Sequence, residues 1–154
     1  MLPLDEIDCA ILAAVQEQGD VPNLELARRV GLSPAASSRR VARLRAEGVI
    51  ESVRALVSPE QVGQIVEAFV LVSLAEHSPD ADAAFARAIA GMPNVLRADS
   101  IAGTDDALVH VVAPSPAELH RQLLALKRAG VRRATTMLRL QAIKPPGPVP
   151  VRPS

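Results

Sequence analysis

The stretch Asn23–Glu47, NLELARRVGLSPAASSRRVARLRAE, predicts two helices joined by a tight turn. In its first part, apolar residues recur at helical spacing on one face, at Leu24, Ala27 and Val30. Gly31 marks the end of that helix, because glycine most easily adopts the left-handed C-terminal conformation. Ser33 suits the N-cap of a second helix, and Pro34 suits its first position. A helix, a short turn with glycine and a second helix make the helix-turn-helix layout.

The second predicted helix has two unlike sides on a helical wheel. The inward side holds Ser37, Val41 and Leu44. The outward side is short and cationic, and it comprises Ala35, Ser38, Arg39, Ala42, Arg43 and Ala46. Small residues let a helix backbone lie deep in a major groove, where Arg39 and Arg43 reach guanine edges or phosphates. We therefore expect this helix to be the recognition helix of a DNA-binding head.

Positive charge is concentrated in the same stretch. Six arginines and no acidic residue lie between Arg28 and Arg45, although the whole chain has a formal charge of zero. A charged helix face is usually only a solvated face, but the capped helix, the glycine turn and the small residues together favour a DNA footprint. Arg40 lies beside the inward side, so it braces the helix or contacts a phosphate without reading a base. The predicted DNA-binding residues are Arg28, Ser33, Ala35, Ser38, Arg39, Arg40, Arg43 and Arg45.

Aromatic residues are almost absent from the chain, which contains only Phe69 and Phe85. Single-strand and RNA-recognition modules stack bases on aromatic side chains, so double-stranded DNA is the better candidate partner. Cys9 is the single cysteine and the histidines are scattered, which excludes an intramolecular disulfide and leaves no metal-ligand spacing. No cofactor is expected. Because the sequence shows no signal peptide and no long apolar run, we expect a soluble cytoplasmic protein without a membrane segment.

Changes of periodicity divide the chain into four predicted segments. A first helix, Leu4–Gln18, follows a short arm at residues 1–4, and Asn23 is placed to cap the second helix. Val49–Val57 then alternates apolar and polar residues, as a strand does. Five prolines in the last ten residues predict an extended, mobile tail. The predicted segments are a winged-type three-helix head (1–49), a crossover strand and linker (50–63), a body (64–144) and a proline-rich tail (145–154).

The body shows the element order strand, helix, strand, strand, helix, strand, which is the ferredoxin-like βαββαβ order. The predicted strands are Ile65–Ala75, Val95–Ala102, Asp106–Ala113 and Val131–Lys144, and the helices are Pro79–Ala90 and Pro116–Ala129. Ser78 and Ser115 each precede a proline, as a cap precedes the first helical residue. The two helices cover one face of a four-stranded antiparallel sheet and leave the other face for a second copy of the chain. The fold class is therefore α+β, with a homodimer joined through this face and through Ile50–Val57.

Short motifs follow one another in a fixed order and spacing from the first helix to the linker. They are Leu4-Asp5-Glu6-Ile7-Asp8, Leu26-Ala27, Val30-Gly31-Leu32-Ser33-Pro34, Arg39-Arg40-Val41-Ala42-Arg43-Leu44, Glu47-Gly48-Val49-Ile50, and Ser58-Pro59 before Gly63. Together with the βαββαβ body, these motifs resemble the Lrp/AsnC family of bacterial and archaeal transcription regulators over Leu4 to Lys144. The resemblance implies a regulator whose body senses a small-molecule effector, commonly an amino acid. It also implies dimers that assemble further into octamers or related rings.

The resemblance points to one loop of the body, because the family has a glycine and an aspartate three residues apart where Gly103 and Asp106 lie. Backbone N–H groups near a glycine bind a carboxylate and an aspartate binds an ammonium, so such a loop suits a zwitterionic amino acid. The same tetrapeptide is also an ordinary hairpin turn with solvated acids. An aromatic residue often follows the aspartate in the family, whereas this chain has Ala107, so we expect a pocket of different shape. The predicted effector-binding residues are Gly103, Thr104, Asp105, Asp106, Ala107, Leu108, Thr135 and Thr136.

Two other functions compete with that of a sequence-specific regulator. Some relatives that share the two-part layout are thought to decarboxylate tetrapyrroles, but such chemistry needs histidines or clustered cations in a cavity. Only His110 lies in a body strand near the loop, and a lone strand histidine is commonly a packing residue, so we expect no enzyme. A purely architectural DNA-compacting protein would make the same DNA contacts without an effector. Footprinting separates the two, because a regulator protects discrete half-sites and an architectural protein coats DNA uniformly.

Overall fold

The computed structural model describes residues 3–154 and divides them between two units. The first unit runs to Leu56 and also contains Lys144–Ser154, and the second unit is Val57–Ile143. The helices are α1 (Glu6–Glu17), α2 (Asn23–Arg29), α3 (Pro34–Ala46), α4 (Pro79–Ala90) and α5 (Pro116–Arg128). The strands are β1 (Val66–Leu74), β2 (Val95–Ser100), β3 (Ala107–Ala113) and β4 (Val131–Leu138). A short 3-10 turn, Glu60–Val62, precedes β1. Of the predicted arm at residues 1–4, the first two residues lie outside this description.

Helices α1 and α3 of the head begin at side-chain caps that the sequence encodes. At the start of α1, Asp5 Oδ1 accepts a hydrogen bond from the Asp8 N–H (2.8 Å), and Asp8 Oδ2 accepts one from the Asp5 N–H (3.3 Å), which makes a capping box. Ser33 Oγ accepts from the Ala36 N–H (3.3 Å), and Pro34 opens α3 as predicted. The helices enclose an aliphatic core of Ile11, Leu12, Ala14, Leu26 and Leu44. This core packs one side of α3 against α1 and leaves the opposite side of α3 exposed to solvent.

Helix α2 differs in two details from its prediction. Asn23 is the first residue of the helix rather than its cap, which is Pro22. The Asn23 Nδ2 donates instead to the Pro34 carbonyl (2.9 Å) and so ties α2 to the start of α3. Leu24 is 54% exposed, whereas Leu26 is 3% exposed. The helix is seven residues long, so spacing alone cannot distinguish the two candidate apolar faces, and contact with the other helices decides.

The expected crossover strand at Ile50–Val57 is not a strand in the single chain. Residues 51–57 make no backbone hydrogen bond with any other part of residues 3–154. A strand exists only beside a neighbouring strand, and the chain offers none here. Several apolar side chains of this segment and its end are consequently exposed to solvent: Val53, Leu56 and Val57.

The body confirms the ferredoxin-like prediction. Its four strands form one antiparallel sheet in the order β2-β3-β1-β4, with α4 and α5 on one face. The helix-covered face contains the core, which includes Val70, Val72, Val109, Val111, Phe85 and Leu126. Strand β4 ends at Leu138 rather than at Lys144. Leu138 pairs with Ala68, and the Arg139 N–H still donates to the Glu67 carbonyl (2.8 Å), but β1 begins at Val66, so most of the predicted extension to Lys144 has no strand beside it.

The tail is docked rather than free. The Gln16 side chain holds both backbone groups of Val149, since its Nε2 donates to the carbonyl (3.1 Å) and its Oε1 accepts from the N–H (2.7 Å). The Ser154 N–H donates to the Leu4 carbonyl (3.0 Å), and the Leu4 N–H donates to Ser154 Oγ (3.1 Å). Val151 packs against the core of the head. The prolines prevent regular structure in this segment, but they do not prevent an extended chain from lying on α1.

Candidate DNA-binding and effector sites

The exposed side of α3 is the side that the sequence predicted. Ser37 and Leu44 are fully buried, and Val41 is half-buried. The residues expected to face outward are all exposed: Ala35, Ser38, Arg39, Ala42, Arg43 and Ala46. Ser33 is exposed too, although its hydroxyl serves as the N-cap. The surface therefore combines small residues near the N-terminus of the helix with arginines further along it.

Two arginines of α3 are held by acids from α1. Arg40 Nη1 lies 2.6 Å from Asp5 Oδ2 and 2.9 Å from Asp8 Oδ1. Arg43 Nη2 lies 2.5 Å from Asp8 Oδ2. The pKa of Asp5 is lowered, first by the hydrogen bond from the Asp8 N–H and then by Arg40, whose own pKa is raised by both acids. Arg40 thus pairs with two acids at the start of α1, and Arg43 is anchored at one end of its guanidinium.

The remaining arginines of the head fall into two groups. Arg29 is paired with Glu25 on the same helix and lies 3.7 Å from Glu17. Arg28, Arg39 and Arg45 are exposed, and their side chains make no ion pair or hydrogen bond to the rest of residues 3–154. Half of the six arginines counted in the sequence are therefore paired within the chain. The acids that pair with Arg40 and Arg43 lie on α1, outside the acid-free window, where the sequence suggested only a favourable helix start.

Asp105 of the predicted effector loop is a buried anchor. Its Oδ1 accepts hydrogen bonds from Ser73 Oγ (2.7 Å) and Arg133 Nη2 (2.9 Å), and Thr104 Oγ1 lies 3.3 Å from Oδ2. The hydrogen bond from Ser73 and the charge of Arg133 hold the pKa of Asp105 below its ordinary value against the effect of burial. Two of its partners, Ser73 and Arg133, were missed from the sequence. Arg133 could have been suspected, because it precedes Thr135 by two residues and so shares its face of β4.

Asp106 joins the loop to the end of β1. Its Oδ2 accepts from the Leu74 N–H (2.7 Å), and its Oδ1 lies 3.7 Å from His77 Nδ1. Gly103 is exposed, with open space where a Cβ would lie. The side chain of Asp106 is one-third exposed, so one edge of the carboxylate remains open to solvent. Asp105 and Asp106 therefore have different surroundings although they are adjacent.

The other predicted effector residues are divided between the two faces of the sheet. Thr135 pairs with Leu71 and lies on the open face, as does Leu108. Thr136 pairs with Val70 and faces the helix layer, where Ala107 is also buried. The two threonines consequently cannot line one site within a single chain.

A cleft of about 610 Å³ lies beside Asp106, between α4 and the edge strand β2. One end is polar, with His77, Asp82 and Asp106. The other end is apolar, with Phe85, Ile89 and Met92. Small-molecule sites commonly combine an apolar wall with a few polar groups in a volume of this order. The sequence did not reveal this cleft, because its residues come from four separate stretches of the chain.

His110 is engaged in packing. Its Nε2 lies 2.7 Å from Glu67 Oε1, and its ring stacks on Phe69 with 4.6 Å between ring centroids. Glu67 also binds Arg139. Across residues 3–154, no group of three or more His, Cys, Asp and Glu side chains is arranged to hold a metal ion. None of the helices in that part of the chain has the length and apolarity that crossing a membrane requires.

Each of the two units matches the model of a known protein family. Residues 4–51 match a family model described as winged helix-turn-helix DNA-binding, and residues 67–149 match the Lrp/AsnC ligand binding domain. The chain is 37% identical to the leucine-responsive regulatory protein of Rhizobium meliloti, with 92% of each chain covered. It is 34% identical to the protein of the same name from Haemophilus influenzae, over 91% of this chain and 78% of the relative.

Solved structures agree with these matches. A transcriptional regulator of Neisseria meningitidis, crystallised as a complex with L-methionine, superimposes with a TM-score of 0.88 at 33% identity, covering 96% of both chains. An AsnC family transcriptional regulator from Agrobacterium tumefaciens superimposes with a TM-score of 0.86 at 28% identity, covering 96% of this chain and 97% of that one.

Acid titration tests the anchor at Asp105. Because the pKa of this carboxyl is lowered in the folded protein, its contribution to stability is complete above the unfolded pKa, about 3.9, and is lost as the pH falls through the lowered value. Asp105→Asn should therefore destabilise the body at pH 7, and the difference between wild type and variant should begin to shrink at about pH 4 and disappear as the pH falls through the lowered pKa of Asp105. Urea unfolding at several pH values measures the difference, with Asp80→Asn on the exposed first turn of α4 as control. A difference that persists undiminished in acid would contradict this role.

Proposed function

Because the chain belongs to the Lrp/AsnC family of transcriptional regulators, we propose that the exposed side of α3 reads double-stranded DNA in the major groove. The chain is a helix-turn-helix DNA-binding regulator with a ligand-binding domain, and family membership excludes the enzyme alternative. The observation that carries the proposal is the set of three exposed, unpaired arginines on and beside a helix whose DNA-facing start is made of small residues. The cytoplasmic location expected from the sequence stays a prediction.

The arginines have different roles in this proposal. Arg39 lies in the middle of α3, free and exposed, which suits direct contact with a base edge. Arg43 reads a base from a position fixed by Asp8. Arg28 and Arg45 lie at the borders of the surface and contact phosphates, which position the head without reading sequence. Arg40 has its guanidinium occupied by two carboxylates, so it supports the helix and contributes little to binding.

We propose further that two chains form a homodimer through the open face of the body and through residues 50–57. The open face carries paired charges and apolar side chains side by side, with Phe69, Leu71 and Met137 among the apolar ones. The unpaired backbone of residues 51–57 is a ready partner for the same segment of a second chain. A dimer also presents two heads, as half-sites on DNA require. Assembly beyond the dimer, to octamers or related rings, rests on the family resemblance.

An amino acid is the proposed effector. The Neisseria meningitidis relative was crystallised with L-methionine, and the loop at residues 103–108 borders a cleft with one polar and one apolar end. In this proposal the open edge of the Asp106 carboxylate binds the ammonium group, and the loop amides near Gly103 bind the carboxylate. The apolar end with Phe85 and Met92 accepts the side chain. A second chain can bring Thr135, which lies on the open face of its own β4, to the site.

The arginines of the DNA surface should differ in their salt dependence. Arg39→Ala should cost about 1 to 3 kcal/mol on a duplex selected from a random pool by the wild-type protein, and little on unselected duplex. Arg28→Ala and Arg45→Ala should weaken both complexes and flatten the salt slope by about one each. Fluorescence anisotropy across a salt series measures these effects, with Arg132→Ala in the body as the control. If Arg39→Ala binds the selected duplex as wild type does, α3 is not the reading helix.

The dimer should depend on one face of β4. Met137 lies on the open face, whereas the neighbouring Leu138 points to the helix side and is more exposed. Met137→Asp should therefore shift the protein to monomer at micromolar concentration, and Leu138→Asp should not. Light scattering after size-exclusion chromatography measures the mass. A monomeric wild type, or equal effects of the two variants, would remove the proposed interface.

An effector should stabilise the body in a way that requires the Asp106 charge. In a thermal-shift screen of the amino acids, a true effector at a hundred times its dissociation constant adds about 2.7 kcal/mol of stability. Asp106→Asn keeps an acceptor for the Leu74 N–H but removes the charge that binds an ammonium, so its shift should be lost. Its DNA affinity without ligand should stay close to that of wild type. Asp80→Asn is the control, and a normal response from Asp106→Asn would move the site elsewhere.

A further inference from the structure

Asp8 is a charged side chain without access to water. It is 1% exposed and lies in α1 beside the core residues Ile11 and Leu12. Burying a carboxylate costs free energy unless charged or hydrogen-bonding partners surround it. The partners of Asp8 therefore indicate its role. Apart from the backbone N–H that it caps, both partners of Asp8 are arginines of the recognition helix.

The two arginines are three residues apart and approach Asp8 from the same side of α3. Arg40 Nη1 binds Oδ1 at 2.9 Å, and Arg43 Nη2 binds Oδ2 at 2.5 Å. The Arg43 side chain nevertheless remains 45% exposed. A guanidinium has five N–H donors in a fixed plane, and Asp8 uses one of those on Arg43. The others stay available at the DNA-facing surface, already oriented by the carboxylate behind them.

We propose that Asp8 is a positioning residue for DNA recognition, which holds Arg43 toward a base edge and thereby sets the ratio of specific to non-specific binding. This inference rests on the proposed reading role of α3. An arginine that is free to move contacts phosphates of any sequence, whereas an arginine fixed at one end binds best where a base acceptor meets it. The charge of Asp8 also offsets two cations of the surface, which weakens binding to DNA of any sequence.

The Asp8→Asn variant separates this role from a merely structural one. Asparagine keeps an acceptor for the capping N–H but loses the charge that holds Arg43. On an unselected duplex of mixed sequence, its affinity should rise and its salt slope should steepen by about one. The ratio of its affinities for the selected and unselected duplexes should fall by about five-fold or more. Anisotropy titrations of both duplexes over a salt series provide all three numbers.

A matched control removes a different acid from the same head. Glu25→Gln makes the same change in net charge and removes the nearest carboxylate from Arg29, which lies on α2 rather than on the recognition helix. Its affinity ratio should stay at the wild-type value. Equal falls in the ratio for Asp8→Asn and Glu25→Gln would overturn the proposal, because they would show an effect of net charge alone. An unchanged ratio for Asp8→Asn would also overturn it and leave Asp8 with a structural role only.

Two further variants keep the test decisive. If Asp8→Asn does not give the circular dichroism spectrum of the folded protein, Arg43→Gln replaces it. If Asp8 holds Arg43 toward a base edge, Arg43→Gln should weaken binding to the selected duplex and leave the salt slope on the unselected duplex unchanged. A slope lower by about one would show a phosphate contact and overturn the proposal. Arg39→Ala tests the reading role of α3 separately, since it does not touch Asp8.

Discussion

The ion cluster at the start of α1 is the constraint on which the head depends. Asp8 caps its own helix and pairs with Arg40 and Arg43, so the first turn of α1 and the middle of α3 are fixed to each other by charge as well as by the aliphatic core. The core of leucine, isoleucine and alanine packs the helices together, but the hydrophobic effect that drives this packing is not directional. Directional bonds from two guanidinium groups to one carboxylate define the rotation of α3 about its axis. That rotation decides which side chains face outward.

The body also has a buried aspartate with an arginine partner, in the predicted effector loop. Asp105 is buried, with Ser73 from the middle of the sheet and Arg133 from its edge strand as partners. The neighbouring Asp106 can remain partly open because Asp105 already fixes the loop. In both units, then, a buried aspartate with an arginine partner anchors a surface that must stay exposed. Part of each surface is therefore ordered before any ligand arrives, and less freedom is lost on binding.

Local signals predicted the elements of this protein well. Serine followed by proline marked the starts of α3, α4 and α5, and the period of the apolar residues distinguished helices from strands. The predictions were wrong where the structure of a segment depends on residues that are distant in sequence. Residues 50–57 alternate like a strand but have no strand beside them, and the proline-rich tail lies on α1 through Gln16. The arginines between Arg28 and Arg45 looked unpaired in the sequence, because the acids that bind Arg40 and Arg43 come from the start of α1. The cleft beside Asp106 could not be predicted either, since four separate stretches meet there only in the fold.

The docked tail has a consequence for the order in which the protein becomes complete. Helices α1 to α3 leave the ribosome first, whereas Val149 and Val151, which bind Gln16 and the core of the head, leave it near the end. The helices of the head are thus synthesised early, whereas the tail residues that pack on them are synthesised near the end. A nascent chain interrupted anywhere before residue 144 carries three helices that lack the packing of Val151 and the hydrogen bonds between Gln16 and Val149. Full stability of the DNA-binding unit is in this way tied to synthesis of the ligand-binding domain that precedes the tail.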